Sequence, residues 1–376
     1  MTSAILVASL LLVAYAYLGY PCSLWLLGIF IARGVKKAPI HPSVTLMVTV
    51  FNESGRIGDK LENCLGLVYP KDRLQILVAS DGSTDSTNET VRSFAARGVE
   101  LLALQERMGK EHAQRAAMRQ ARGEILVFTD VATRLEPHGL EQIVSNFADP
   151  SVGCVSGEDR VIGPDGRPSG EGLYVRYEMW LRRLEAKIGS LIGLSGSFFA
   201  ARKEVCRDFS GEMQSDFRTV LNSLRLGLRG VSDPEAVGSY RDVSDETREF
   251  DRKVRTVVRG LTVFFHHLEF LNVFRYGLAS YQLFCHKLLR WMVPFLLVTA
   301  LAANLLLAGR WLFLLLLMAQ IGFYALAAWG WGRKGSSRNV WIKIPVYFVT
   351  VNASIAAAWW KYLKGERVVM WSPTTR

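Results

Sequence analysis

Charged side chains are missing from four long stretches of this 376-residue chain. The four stretches are Thr2–Ala32, Trp291–Gly309, Trp311–Gly332 and Ile344–Trp360. About 20 apolar residues cross the hydrocarbon of a bilayer, so each stretch is near or above the length of a span. This pattern excludes a purely soluble protein. The 258 residues of mixed composition from Arg33 to Arg290 exclude a many-pass transporter in turn.

Cysteine is scarce, and the few cysteines are far apart. The five residues are Cys22, Cys64, Cys154, Cys206 and Cys285, and no C-x-x-C occurs. This spacing argues against a disulfide framework and against a zinc site. Reduced thiols suit a cytoplasmic domain. A G-x-G-x-x-G motif is also absent, which argues against a dinucleotide-binding fold.

Positive charge exceeds negative charge by 11, and much of it flanks the apolar stretches. The flanking basic residues are Arg33, Lys36 and Lys37, then Arg333, Lys334 and Arg338, and finally Lys361, Lys364, Arg367 and Arg376. The positive-inside rule places the first two groups, and the domain between them, in the cytoplasm. Four full crossings would leave the third group outside, so either that tail is translocated or one segment is re-entrant. The charge suits anionic lipid. The soluble domain has no basic stripe with interleaved aromatic residues, so nucleic-acid binding is not expected.

The region between the apolar stretches alternates predicted strands and helices. The predicted strands are Val44–Phe51, Leu74–Ala79, Glu100–Leu104 and Ile125–Thr129, and the predicted helices are Gly58–Leu65, Thr84–Ala96 and Glu111–Ala121. Continuous apolar strands alternating with helices indicate a parallel sheet covered on both faces. Right-handed crossovers then give a doubly wound α/β domain.

Acidic residues follow three of these strands. Glu53 comes after the first, Asp81 and Asp85 after the second, and Asp130 after the fourth. Ligands of doubly wound sheets bind beyond the carboxyl ends of the strands, so a metal or nucleotide site is expected there. The alternative is that Asp81 and Asp85 serve only the turn and the helix cap, since Asp-Gly-Ser-Thr-Asp is good turn chemistry.

The order V-T-V-F-N-E, S-D-G-S-T-D, G-K and F-T-D resembles a family 2 glycosyltransferase from about Val44 to Arg259. With the apolar flanks, the resemblance extends to membrane-bound relatives of hyaluronan, chitin and cellulose synthases, and above all to bacterial exopolysaccharide glycosyltransferases. It implies a GT-A fold, a doubly wound mixed sheet, with one N-terminal and about three C-terminal transmembrane helices.

The resemblance also implies roles for single residues. Asn52 and Glu53 would lie at the nucleotide edge, Asp81 would contact the uracil or ribose, and Lys110 would lie near the nucleotide. Asp130 would be the first acid of the D-x-D metal motif and hold Mg²⁺ or Mn²⁺ against the nucleotide. Asp216 would be the catalytic base.

Two further segments receive roles from the resemblance. The turn Ser195-Gly196-Ser197 would lie on the acceptor side. Arg252, Lys253 and Arg255 stand where synthases carry Q-x-x-R-W, and would bind pyrophosphate. The alternatives are a helix N-cap before Phe217 for Asp216, and a membrane-facing surface for the basic cluster.

The chain departs from the family pattern at several positions. Ala132 replaces the second acid of D-x-D, Arg115 replaces an asparagine after G-K, Ser215 replaces an acid beside Asp216, and Q-x-x-R-W is absent. These departures weaken the expected metal site and argue against processive polymerisation. A single carboxylate still suffices for Mg²⁺ when the substrate's phosphates supply further ligands.

The expected protein is a membrane-bound inverting glycosyltransferase of the bacterial inner membrane, with a cytoplasmic catalytic domain. It would use a UDP-sugar and a lipid-linked or polysaccharide acceptor in exopolysaccharide synthesis. Its further expected partners are membrane lipids and either other copies of itself in an oligomer or other polysaccharide-export components. The alternatives are a processive synthase and a non-catalytic scaffold. The predicted segments are a membrane helix at 1–33, the GT-A domain at 34–259, interface helices at 260–290, membrane helices at 291–363 and a basic tail at 364–376. The tail ends in W-S-P-T-T-R, like these relatives.

Overall fold

The computed structural model describes residues 1–163, 172–241, 246–332 and 340–367. The basic loop at 333–339 and the terminal motif at 368–376 lie outside the described residues. The chain divides into two compact units. A helical unit comprises Met1–Ser23, Asp245–Thr262 and Tyr281–Arg367, and a sheet unit contains Leu24–Ser244 and Val263–Ser280.

The sheet unit is built on one sheet, to which the described residues contribute eight strands. They are β1 Val44–Val50, β2 Leu74–Ser80, β3 Val99–Ala103, β4 Ile125–Asp130, β5 Arg134–Leu135, β6 Val152–Ile162, β7 Phe198–Arg202 and β8 Arg229–Arg241. Their order across the sheet is β3-β2-β1-β4-β7-β6-β8-β5. Strands β3, β2, β1 and β4 are parallel, whereas β7 runs antiparallel to both β4 and β6. The fold is a mixed sheet of GT-A type.

The α-helices in the described residues connect the strands and form the apolar segments. They are α1 Thr2–Ala14, α2 Tyr20–Phe30, α3 Ile57–Leu65, α4 Thr87–Ser93, α5 Lys110–Met118, α6 Gly139–Ser145, α7 Gly172–Ile188, α8 Ser215–Arg225, α9 Glu246–His266, α10 Val273–Tyr276, α11 Leu278–Leu283, α12 Arg290–Leu306, α13 Trp311–Gly332 and α14 Val340–Leu363. Segments of π-helix at Tyr15–Gly19 and Phe284–Leu289 make α1–α2 and α11–α12 continuous.

Both faces of the sheet are buried, as the unbroken apolar strands predict. Val48 on β1 joins a core that includes Leu61 of α3. Its neighbour Met47 points to the opposite face and joins a second core with Ala117 of α5 and Val220 of α8. The four predicted strands and the helices between them are therefore confirmed, with ends that differ by at most three residues.

Four helices of the described chain are long and apolar enough to cross a membrane. They are Thr2–Phe30, Leu278–Leu306, Trp311–Trp331 and Trp341–Leu363. Within the helical unit, Leu6 packs on Ala300 and Ala303, and the Trp359 indole donates a hydrogen bond to the Trp291 carbonyl at 2.9 Å. The predicted interface segment 260–290 comprises the end of α9, the short α10 and the start of the second long helix. Its place at the bilayer surface stays a prediction.

Candidate active site

The loops after β1 and β2 are joined at the carboxyl edge of the sheet. Asn52 adopts the left-handed backbone conformation, with φ 49°. Its Oδ1 accepts from the Thr84 amide at 2.8 Å, and its Nδ2 donates to Thr84 Oγ1 at 3.2 Å. In this structure the Asn52 side chain therefore fixes the loop that carries Asp81.

Glu53 is buried beside this junction. Arg56 donates to both of its carboxylate oxygens, at 2.7 and 2.6 Å. Burial raises the pKa of Glu53; Arg56 opposes the rise, while the charges of Asp85 and Asp130 add to it. The acids that follow β1 and β4 thus lie within electrostatic reach of each other.

Asp81 is fully buried and binds backbone amides of the loop between β3 and α5. Met108 N donates to Asp81 Oδ1 at 2.8 Å, and Gly109 N donates to Oδ2 at 2.9 Å. Asp85 accepts from the Ser54 and Thr87 amides at 3.1 and 3.0 Å. Asp85 therefore stabilises the turn and the start of the helix, whereas Asp81 joins the loop after β2 to the loop between β3 and α5.

Lys110 starts α5 directly after the loop that Asp81 holds. Its ammonium pairs with Asp130 Oδ1 at 2.5 Å and donates to the Gly196 carbonyl at 3.3 Å. The Asp130 amide donates to the Ser197 carbonyl at 3.2 Å. The predicted acceptor-side turn thus contacts both Lys110 and the predicted metal ligand.

Asp216 contacts the same turn. Its Oδ2 lies so close to Gly196 that a Cβ added there would be 2.9 Å away. Its Oδ1 accepts from the Phe217 amide at 2.7 Å, and its Oδ2 from Gln214 Nε2 at 3.1 Å. Helix α8 begins at Ser215 with Gln214 in the capping position, so the N-cap alternative for Asp216 is wrong. Lys110, Asp130 and Asp216 therefore meet around one turn.

The described residues fit one divalent cation only when a ligand completes its coordination. No cluster of three His, Cys, Asp or Glu side chains occurs in the part of the chain that the structure describes. Asp130 offers a partly exposed carboxylate at this edge of the sheet. One carboxylate is a normal protein share for Mg²⁺ when phosphates and water supply the other oxygens. The chemistry of this site therefore suits a metal that arrives with a diphosphate.

Comparisons with known proteins show which enzymes this chain is similar to. The family model described as "Glycosyl transferase family 2" matches residues 45–209. The matched segment, residues 45–209, is therefore similar to the glycosyltransferases of family 2. A mannosyltransferase of Pyrobaculum calidifontis, solved with GDP-Man and Mn²⁺, matches 98% of this chain and all of that one, with a TM-score of 0.74 and 25% identity.

Two curated relatives are similar to part of this chain. Glycosyltransferase AglE of Haloferax volcanii is 30% identical over 132 residues, which are 35% of this chain and 43% of that protein. Poly-beta-1,6-N-acetyl-D-glucosamine synthase of Staphylococcus aureus is 28% identical over 194 residues, 50% of this chain and 46% of that protein. The matches span less than half the length of either relative.

Sequence reasoning about this domain missed Lys60. Its buried ammonium donates to Thr129 Oγ1 at 2.9 Å and to the Thr133 carbonyl at 2.5 Å, bracketing Asp130. Burial lowers its pKa, although the charge of Asp130 favours the ammonium. A signal was present, because Lys60 lies on the apolar face of α3, with Ile57 and Leu61 at helical spacing.

The predicted pyrophosphate ligands lie on α9, in the helical unit. Arg252 donates to both carboxylate oxygens of Glu249 at 2.6 Å, and the Lys253 ammonium lies 3.2 Å from the same carboxylate. Burial lowers the pKa of Arg255, and the neighbouring charges of Arg259 and Arg252 lower it further. Pyrophosphate binding by this cluster stays a prediction.

Proposed function

We propose that this protein transfers a sugar, with inversion, from a nucleoside-diphosphate sugar to an acceptor hydroxyl. One observation carries the proposal: Asp216 Oδ2 abuts Gly196, whose carbonyl accepts from the same Lys110 ammonium that pairs with Asp130. A carboxylate for the acceptor and a cation for the donor therefore flank a single turn. This separation of roles is what an inverting displacement requires.

In the proposed reaction Asp216 is the general base. Its carboxylate takes the proton of the acceptor hydroxyl while that oxygen bonds to the anomeric carbon. The bond from this carbon to the diphosphate oxygen breaks, and the nucleoside diphosphate leaves with the electron pair. Hydrogen bonds from Phe217 N and Gln214 Nε2 orient the carboxylate for this task.

The leaving diphosphate develops negative charge, which the site must offset. Lys110 is the cation placed for this, because its ammonium already bridges Asp130 and the Gly196 carbonyl. We assign Mg²⁺ or Mn²⁺ to Asp130. When bound, the metal supplies Lewis-acid stabilisation of the diphosphate. Asn52, Glu53 and Asp81 are the proposed nucleotide residues, and Ser195-Gly196-Ser197 the acceptor side.

The proposed donor is a UDP-sugar, and the proposed acceptor is lipid-linked or a polysaccharide in cell-surface synthesis. The similarity to a poly-beta-1,6-N-acetyl-D-glucosamine synthase supports this version. A GDP-sugar is the second candidate, because the mannosyltransferase that matches along the whole chain was solved with GDP-Man. The four apolar helices support a site at a membrane, for which we propose the inner membrane with a cytoplasmic catalytic domain.

Donor identity is tested by nucleotide release from a panel of UDP- and GDP-sugars, with Mg²⁺ or Mn²⁺ and with or without lipid extract. Product length separates single addition from processive synthesis. If no donor in the panel releases nucleotide, with or without the extract, the non-catalytic scaffold is supported.

The base is tested with Asp216→Asn. The amide keeps the size of the carboxyl but cannot take the proton, so transfer should fall by about 100-fold or more while nucleotide affinity stays within a few-fold. Asp208→Asn, on the loop before α8, serves as the matched control. Equal turnover by Asp216→Asn and wild type would refute the assignment.

A further inference from the structure

Asp159 is an acidic residue of the crevice that no sequence motif singled out. It lies on β6, just beyond an irregularity in the pairing with β8 between Ser156 and Glu158. Gly157 permits this irregularity, because a Cβ there would lie 2.5 Å from the Phe198 ring and 2.9 Å from the Ala236 carbonyl. Bulges of this kind change the direction of the following side chains and are common beside active sites.

The Asp159 carboxylate holds the acceptor-side turn. Ser195 Oγ donates to Asp159 Oδ1 at 2.7 Å, and the Ser197 hydroxyl donates to the same oxygen. The two hydroxyl oxygens lie 2.8 Å apart. The Ser195 amide also donates to Ser156 Oγ at 2.8 Å. Side chains of β6 thus accept hydrogen bonds from both ends of the three-residue turn.

This turn is where the proposed catalytic groups converge. The Ser197 carbonyl accepts from the Asp130 amide, and the Gly196 carbonyl accepts from Lys110. Gly196 also lies against the Asp216 carboxylate. A shift of the turn therefore changes the spacing of donor-side and acceptor-side groups together. Misplacement by about 1 Å can cost about 100-fold in rate.

We propose that Asp159 is a positioning residue, which sets the distance between Asp216 and the Lys110–Asp130 pair by holding the Ser195-Gly196-Ser197 turn. The inference rests on the proposed function, because it assigns Asp159 to that reaction. Its contacts are with the two serine hydroxyls, so it acts through the turn. What the turn needs from it is one oxygen that accepts two hydrogen bonds.

The experiment compares Asp159→Ala, Asp159→Asn and the double variant Ser195→Ala/Ser197→Ala in the full-length protein. Asparagine retains the accepting oxygen, so Asp159→Asn should keep kcat within about threefold of wild type. The alanine variant and the double serine variant should each lose about 100-fold in kcat, with the donor KM within a few-fold. Glu158→Gln is the matched control, since this neighbouring carboxylate pairs with Arg183 instead of the turn.

Amide hydrogen exchange of the turn, measured without donor, gives a readout independent of activity. Exchange at Gly196 and Ser197 should rise in Asp159→Ala and the double variant, and stay unchanged in Asp159→Asn and Glu158→Gln. If Asp159→Asn is as inactive as Asp159→Ala, the negative charge itself is required and the positioning role is overturned. Unchanged exchange in Asp159→Ala overturns it as well.

The two proposals fail separately. If wild type releases no nucleotide from any donor while exchange still responds to Asp159→Ala, the hold on the turn is supported and the glycosyltransferase reaction is not. If Asp159→Ala does not fold, the double serine variant, which leaves the carboxylate in place, carries the same comparison.

Discussion

Substitution of Gly196 should change the position of the Asp216 carboxylate, because this glycine lies directly against it. Its backbone is not in the left-handed region, so alanine is compatible with its conformation. The added Cβ would nevertheless lie 2.9 Å from Asp216 Oδ2, where ordinary contacts begin at about 3.4 Å. The carboxyl must therefore retreat by about half an ångström, against the hydrogen bonds from Phe217 and Gln214 that hold it.

A retreat of this size should lower kcat between about 10-fold and 100-fold. The nucleotide should bind with unchanged affinity, because no predicted nucleotide residue is displaced. The assay is turnover with the donor found by the panel, beside nucleotide Kd by calorimetry. Gly55→Ala is the control, since nothing lies within 4 Å of a Cβ added at that glycine.

Two results would refute the reasoning about Gly196→Ala. Wild-type kcat in the variant would mean that Asp216 does not act from the position seen here. An equal loss in nucleotide affinity and kcat would mean that the substitution disturbs the donor site, and that the turn does not report on the base.

Two stability predictions follow from the sheet unit. Gly82 and Gly98 both have positive φ, so alanine should cost about 1 kcal/mol of stability at each. Of the two, Gly82 is the one where the added Cβ also meets backbone, 2.7 Å away. Gly82→Ala should therefore lower Tm by several degrees more than Gly98→Ala, and equal shifts would contradict the clash. Burial alone would raise the pKa of Asp149, but hydrogen bonds from Ser151 and the charge of Arg229 lower it to about 2. Because the folded pKa lies below the ordinary value of 3.8, this stabilisation is present above about pH 4 and is lost as pH falls toward 2. Asp149→Asn should therefore lose about 2 kcal/mol of stability at pH 7 and show a flatter decline of Tm between pH 4 and pH 2 than wild type.

The parallel half of the fold could be predicted because its signals are local. Strands such as Val44–Val50 are mostly apolar, without a regular alternation of apolar and polar residues, which is the pattern of a strand buried on both faces. The acids at their ends follow from chain order alone, since parallel strands end at one edge of the sheet. The antiparallel half gave no such signal: β6 and β7 are separated by α7, and their pairing depends on contacts distant in the chain.

The sequence by itself determined four apolar helices, a doubly wound sheet and the set of acids at its carboxyl edge, because hydrophobic periodicity and strand-end position act over a few residues. Only the tertiary structure decided which groups meet. Asp216 reaches Gly196, Lys110 reaches Asp130, and Asp159 reaches two serines, across chain separations that no periodicity encodes. These contacts arise because β7 inserts antiparallel beside β4 and brings its preceding turn to the same edge, which is a property of the packed sheet.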